Sequence, residues 1–80
     1  MTYEIRRTSL FKKDYKAMVR RGAEIRLLHE VVDLLRQGLP LPERCRDHAL
    51  SGNYANHREC HIKSDWLLIY RIERTLCILV

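Results

Sequence analysis

Apolar residues along this chain fall into two rhythms. Between Leu10 and Gln37 they recur every three or four positions, the repeat of a helix with one buried face. From His57 onward they alternate or run unbroken, the habit of strands. A short alternation also opens the chain: Tyr3 and Ile5 fall on one side, Glu4 and Arg6 on the other, which predicts a strand over Tyr3–Arg7. Thr8 and Ser9 follow as natural N-caps, because a side-chain hydroxyl accepts a bond from an otherwise unpaired helix N–H. The helix predicted over Leu10–Arg20 turns Phe11, Tyr15, Met18 and Val19 to the core. Gly22 interrupts it as a left-handed cap residue. A second helix over Ala23–Gln37 presents Ile25, Leu28, Val31, Val32 and Leu35, widened by Leu27 and Leu34, and stops at Gly38. On its exposed side Arg26 and Glu30 can pair, and His29 reads as a partly exposed helix residue.

Leu39-Pro40-Leu41-Pro42 disfavours helix and reads as an extended connector. Asp47–Asn56 reads as a loop, with Gly52, Asn53 and Asn56 as turn residues. Three strands then follow, His57–Ile62, Trp66–Ile72 and Leu76–Val80, separated by turns at Lys63–Asp65 and Glu73–Thr75. Connections this short make the strands an antiparallel meander. The order is β-α-α-β-β-β: a helical hairpin packed on one face of a small, mainly antiparallel sheet, class α+β, with residues 1–80 forming a single domain.

Composition narrows the function. A hydrophobic share of 46% suffices for one modest core and argues against disorder. The formal net charge of +5 favours a polyanionic partner. Cys45, Cys60 and Cys77 are odd in number and form no CxxC, so they read as reduced thiols of a cytoplasmic protein rather than a disulfide framework. No stretch is long and apolar enough to span a membrane, and the polar start has no leader-like apolar region. Lys12, Lys16 and Arg20 lie four apart on one helix face; with Arg58 and Lys63 they are the cations expected to neutralise nucleic-acid phosphates.

Alternation on a strand puts His57, Glu59 and His61 on one face and Arg58, Cys60 and Ile62 on the other. A strand that presents His, Glu and His has no packing reason to do so. Asp65 follows in the adjoining turn, expected close to His61, and His48 enters from the preceding loop beside Asp47. Such a set suits RNA cleavage without a metal. One group takes the proton of the RNA's own 2′-hydroxyl, another protonates the leaving 5′-oxygen, and cations steady the phosphate. Histidine can serve either proton role. Cys45-x-x-His48 and His57-x-x-Cys60 also look like zinc half-sites, but residues three apart on a strand point to opposite faces, so no metal and no cofactor is expected.

The run LPLPERCRDHALSGNYANHRECHIKSDWLLIY, with FKKDYK near the start, resembles the YafQ branch of the RelE/ParE superfamily, the toxins of type II toxin–antitoxin modules. The likeness is most specific in DH-x-L-x-G and REC-H-x-x-x-DWLLIY. It implies a ribosome-dependent endoribonuclease that cuts mRNA in the ribosomal A site. It implies catalytic roles for His48, His61 and Asp65, with Glu59 implicated in some relatives. It also implies a cognate antitoxin that wraps the basic surface and carries the toxin to operator DNA. The family continues past the last strand into R-x-G-(S/T)-H-(S/A)-x-L-F, which supplies an arginine, a catalytic histidine and a terminal aromatic. The sequence stops at Val80, before these residues, so a shortened or decayed toxin with weak or absent cleavage is the expectation. The alternative is a non-catalytic basic module that only binds its antitoxin. A gyrase-poisoning relative on the same fold fits less well, because it would not need His48, His61 and Asp65.

Overall fold

The computed structural model describes residues 2–80. Strand β1 (Glu4–Arg7) leads into helix α1 (Ser9–Arg20) and helix α2 (Ile25–Gln37). A 3-10 turn (Glu43–Cys45), strand β2 (His48–Ala49) and a second 3-10 turn (Gly52–Tyr54) precede strands β3 (Arg58–Lys63), β4 (Trp66–Glu73) and β5 (Leu76–Leu79). All five strands join one sheet in the order β1-β5-β4-β3-β2. Only β1 and β5 run parallel, with Ile5 opposite Cys77; the other neighbours are antiparallel. The class is α+β, as the apolar patterning predicts.

Local chemistry explains the helix limits. Thr8 Oγ1 accepts the Phe11 N–H at 3.1 Å, so one of the orphan donors of the first turn of α1 is satisfied. At the other end Gly22 adopts φ +75°, and the N–H groups of Gly22 and Ala23 both bond back, to the carbonyls of Val19 and Met18 at 3.1 Å each. Ala23 is consumed by this cap, which is why α2 begins at Ile25 and not at Ala23. Gly38 closes α2 in the same way, with Leu39 N–H on the Leu34 carbonyl at 3.0 Å.

The core lies between the helices and one sheet face. Leu28, Val31 and Leu35 of α2 and Phe11 of α1 meet Cys60, Ile62, Leu68, Tyr70, Cys77 and Leu79 of the sheet. Two expectations need correction. Val19 is 50% exposed, because it lies roughly 100° around the helix from Met18 and past the buried stripe. The segment Asp47–Asn56 is not wholly loop: His48 and Ala49 form the edge strand β2 against β3. Two residues cannot display an alternation, so the sequence carried no periodic signal for it.

Cys45, Cys60 and Cys77 are free and buried. Loss of hydration pushes the Cys60 thiol up to about 12 and the Cys77 thiol up to about 11, against an ordinary 9.0. Above the ordinary value the unfolded chain releases protons that the folded chain retains. The stability these thiols contribute is therefore complete below about pH 9 and is lost as pH rises towards 11 and 12. Urea unfolding followed from pH 7 to pH 10.5 is expected to show stability falling above pH 9, with Cys60→Ala and Cys77→Ala together flattening that fall. Iodoacetamide at pH 8 is expected to leave both thiols unmodified until urea unfolds the chain.

Candidate active site

Strand alternation decides what each sheet face offers. Cys60 and Ile62 of β3 are buried against the helices, so Glu59 and His61 project from the opposite, open face. The β2–β3 register sets His48 directly opposite Glu59, and His48 Nε2 stands 3.3 Å from Glu59 Oε1. His48 Nδ1 lies 2.6 Å from the Arg46 carbonyl oxygen. A carbonyl can only accept, so Nδ1 carries a proton and Nε2 is the atom free to exchange one. The His61 ring centroid is 6.4 Å from that of His48, tilted by 40°. Next to this polar cluster, β4 places Ile69 opposite Glu59 and Leu67 opposite His61, an apolar border on which Leu67 is 46% exposed.

Behind the cluster, on the core side, Asp47 ties the same strands together. Its Oδ1 accepts the Tyr70 hydroxyl at 2.6 Å and the Arg58 Nε–H at 3.2 Å. Tyr70 is 2% exposed, and burial with this hydrogen bond pushes its hydroxyl well above the ordinary range. The Asp47 carboxylate likewise raises the guanidinium of Arg58. Asp47 and Arg58 of the clamp immediately precede His48 and Glu59, and alternation sends the clamp to one face and the pair to the other.

The remaining candidates lie elsewhere. Arg58 is bound to Asp47, and Lys63 Nζ donates to Glu24 Oε1 at 3.1 Å, holding the Glu24 carboxyl below its usual value. Asp65 lines a depression with Met18, Arg21, Ala23, Glu24, Lys63 and Trp66, and His61 borders the groove on the other side of Lys63. The β3–β4 register shifts between His61 and Lys63, so the alternation does not carry on unchanged into the turn that holds Asp65. His57 precedes β3; its Nδ1 donates to the Ala55 carbonyl at 3.0 Å and its ring meets Tyr54 edge-on. Lys12, Lys16 and Arg20 line a separate groove along α1 with Ser9, Lys13 and Ala17.

Sequence reasoning missed Arg44 and Arg46, which line the groove beside His61. A signal was present: both flank Cys45, which is 1% exposed, so the two arginines are the outward positions on either side of a core anchor. Cys45 and Cys60 lie in the core while His48 stands on the open face, and among the described residues no three His, Cys, Asp or Glu side chains are grouped to hold a metal ion.

Comparisons with known proteins bear on the family and the fold. Residues 3–80 match the family model described as the bacterial toxin of type II toxin–antitoxin system, YafQ. The mRNA interferase toxin YafQ of Escherichia coli K12 is 33% identical over 70 residues, covering 86% of this chain and 76% of the relative. A metal-bound toxin from Helicobacter pylori superposes with a TM-score of 0.91 at 38% identity, over 100% of this chain and 90% of that one. The E. coli DinJ–YafQ toxin–antitoxin complex gives 0.89 at 30% identity, over 99% and 88%.

Asp47→Ala removes the acceptor of a buried hydroxyl and of a guanidinium, and is expected to cost about 1–3 kcal/mol in urea unfolding. Tyr70→Phe alone is expected to cost about 1 kcal/mol, and close to nothing once Asp47 is alanine. A double-mutant cycle with no coupling would refute the clamp.

Proposed function

The chain belongs to the YafQ family of bacterial toxins from type II toxin–antitoxin systems, and from that premise we propose that it is an mRNA interferase, an endoribonuclease that cuts RNA by attack of the substrate's own 2′-hydroxyl. The observation that carries this reading is the open-face cluster: His48 Nε2 at 3.3 Å from Glu59, with the His61 ring 6.4 Å from that of His48. Two imidazoles at this separation can address the two sides of one phosphodiester. His61, whose ring has no hydrogen-bond partner among the described side chains, takes the proton from the 2′-oxygen. The 2′-oxygen attacks phosphorus, the bond to the 5′-oxygen breaks, and a 2′,3′-cyclic phosphate forms. His48 and Glu59 hold a proton between them at Nε2 and deliver it to the departing 5′-oxygen. The Arg46 carbonyl fixes the ring throughout by keeping Nδ1 protonated.

Asp65 enters as a residue of the β3–β4 turn, which also carries Lys63 and Ser64 to the wall of the groove. The cleavage takes place on mRNA in the ribosome, in the cytoplasm, and needs no cofactor from this chain. Lys12, Lys16 and Arg20 supply a second cationic surface, suited to ribosomal RNA backbone. An antitoxin partner is supported by the DinJ–YafQ complexes solved for similar chains and by the net charge of +5, which suits an acidic wrapping segment; operator DNA is reached through that partner.

The test is a translation reaction with purified ribosomes and a defined mRNA, the cut mapped by primer extension. Cleavage by the native sequence is expected to be weak and to leave 2′,3′-cyclic phosphate ends. His48→Ala and His61→Ala are each expected to slow cleavage about 100-fold or more, the usual scale for removing one proton-transfer group, while circular dichroism stays native. Cleavage that survives both substitutions would refute the assignment. If growth arrest on expression is absent for the native sequence but the chain still captures an antitoxin, the non-catalytic alternative takes its place.

A further inference from the structure

The groove beside His61 is about 400 Å3 and is lined by Arg44, Arg46, His61, Ile62, Lys63 and Ser64. No carboxylate lines it. Arg58 and Lys63, the cations on the same strand as Glu59 and His61, are each held by an acid, Asp47 and Glu24. Arg44 and Arg46 form no ion pair among the described residues. They stand on either side of Cys45, which is buried in the core and anchors the turn that presents them.

Arg46 has a second peculiarity. Its backbone is left-handed, φ 47° and ψ 47°, a region that side-chain-bearing residues rarely adopt and that tends to mark functional positions. The residue in this conformation is the one whose carbonyl receives His48 Nδ1 at 2.6 Å. A single residue therefore fixes the imidazole through its backbone and offers a guanidinium to the adjoining groove through its side chain.

We propose that Arg44 and Arg46 form a phosphate-binding subsite that holds the sugar–phosphate backbone of single-stranded RNA against the His48–Glu59–His61 cluster. The inference rests on the ribonuclease reading above and adds the place where the strand lies. Guanidinium groups suit it, since their planar forks match two phosphate oxygens at once. The volume lies within the range of roughly 300–1,000 Å3 common for small-ligand sites, so it accommodates a short piece of backbone and not a duplex. The contacts read no base, and the subsite positions RNA without selecting its sequence.

The native chain is titrated by NMR with a 2′-O-methyl RNA hexamer, which cannot be cleaved, at several salt concentrations. Expected are shifts at the Arg44 and Arg46 side-chain Nε–H groups and at the His61 ring. Arg44→Gln with Arg46→Asn removes both cations, and asparagine tolerates the left-handed backbone. This variant is expected to bind at least tenfold more weakly at low salt and to lose about 1.4 from the slope of log affinity against log salt, roughly 0.7 for each of two phosphate contacts. A charge-matched control, Arg36→Gln with Arg74→Gln, is expected to keep the native slope. An unchanged slope in the first variant, an equal loss in the control, or shifts that avoid the groove would overturn the subsite, and ribosomal cleavage by the native chain would then leave the nuclease reading standing. A native chain that neither binds the hexamer nor cuts mRNA overturns both.

Discussion

One carboxylate oxygen holds the working end of this protein together. Asp47 Oδ1 accepts from Tyr70 of β4 and Arg58 of β3, so a residue from the segment before β2 is tied to two strands at once. β2 is only two residues long, and its ladder with β3 is correspondingly brief. A strand so short has little of its own to resist fraying. Fixing Asp47 fixes the entry of β2, and with it the side on which His48 emerges. Without that anchor His48 would have a carbonyl contact and a solvent-facing carboxylate to hold it, both on the exposed side.

The same bond partitions the protein's charge. A net charge of +5 suggests a broadly cationic surface, yet much of it is locally spent. Arg26, Arg36, Arg58, Lys63 and Arg71 all face carboxylates at 3.2 Å or less. Most of these pairs are exposed and contribute little stability individually. Their effect is to decide which cations remain available to an anionic ligand. The clusters that are left are the α1 stripe and the Arg44–Arg46 turn, which line separate grooves, with Arg7 and Arg74 apart from both in sequence.

The parts of the fold that obey a period were legible in the sequence. Both helices and the β3–β5 meander follow from the spacing of residues such as Leu28, Val31 and Leu35, or of Cys60 and Ile62, because burial on one side enforces a repeat. The pairing of Glu59 with His61 on one face was legible for the same reason. β2 was not, because its existence depends on a bond from Asp47 to a tyrosine 23 residues later. The irregular residue step between His61 and Lys63 in β3 leaves no compositional mark either. The parallel neighbour of β5 was invisible too, as pairing between the two ends of a chain has no local signature.

That last pairing has a temporal side. β5 lies inside the sheet, between β1 and β4, and its Cys77 and Leu79 are among the most buried residues. β1 is made early and finds its only neighbour late, across nearly the whole sequence. On a ribosome the growing polypeptide therefore stays without this interior strand, and β1 without a partner, until residues 76–79 have cleared the exit tunnel. Contacts this distant also slow folding, because a long loop must close before they are gained. Native structure therefore comes only after β5 is free of the ribosome that made it.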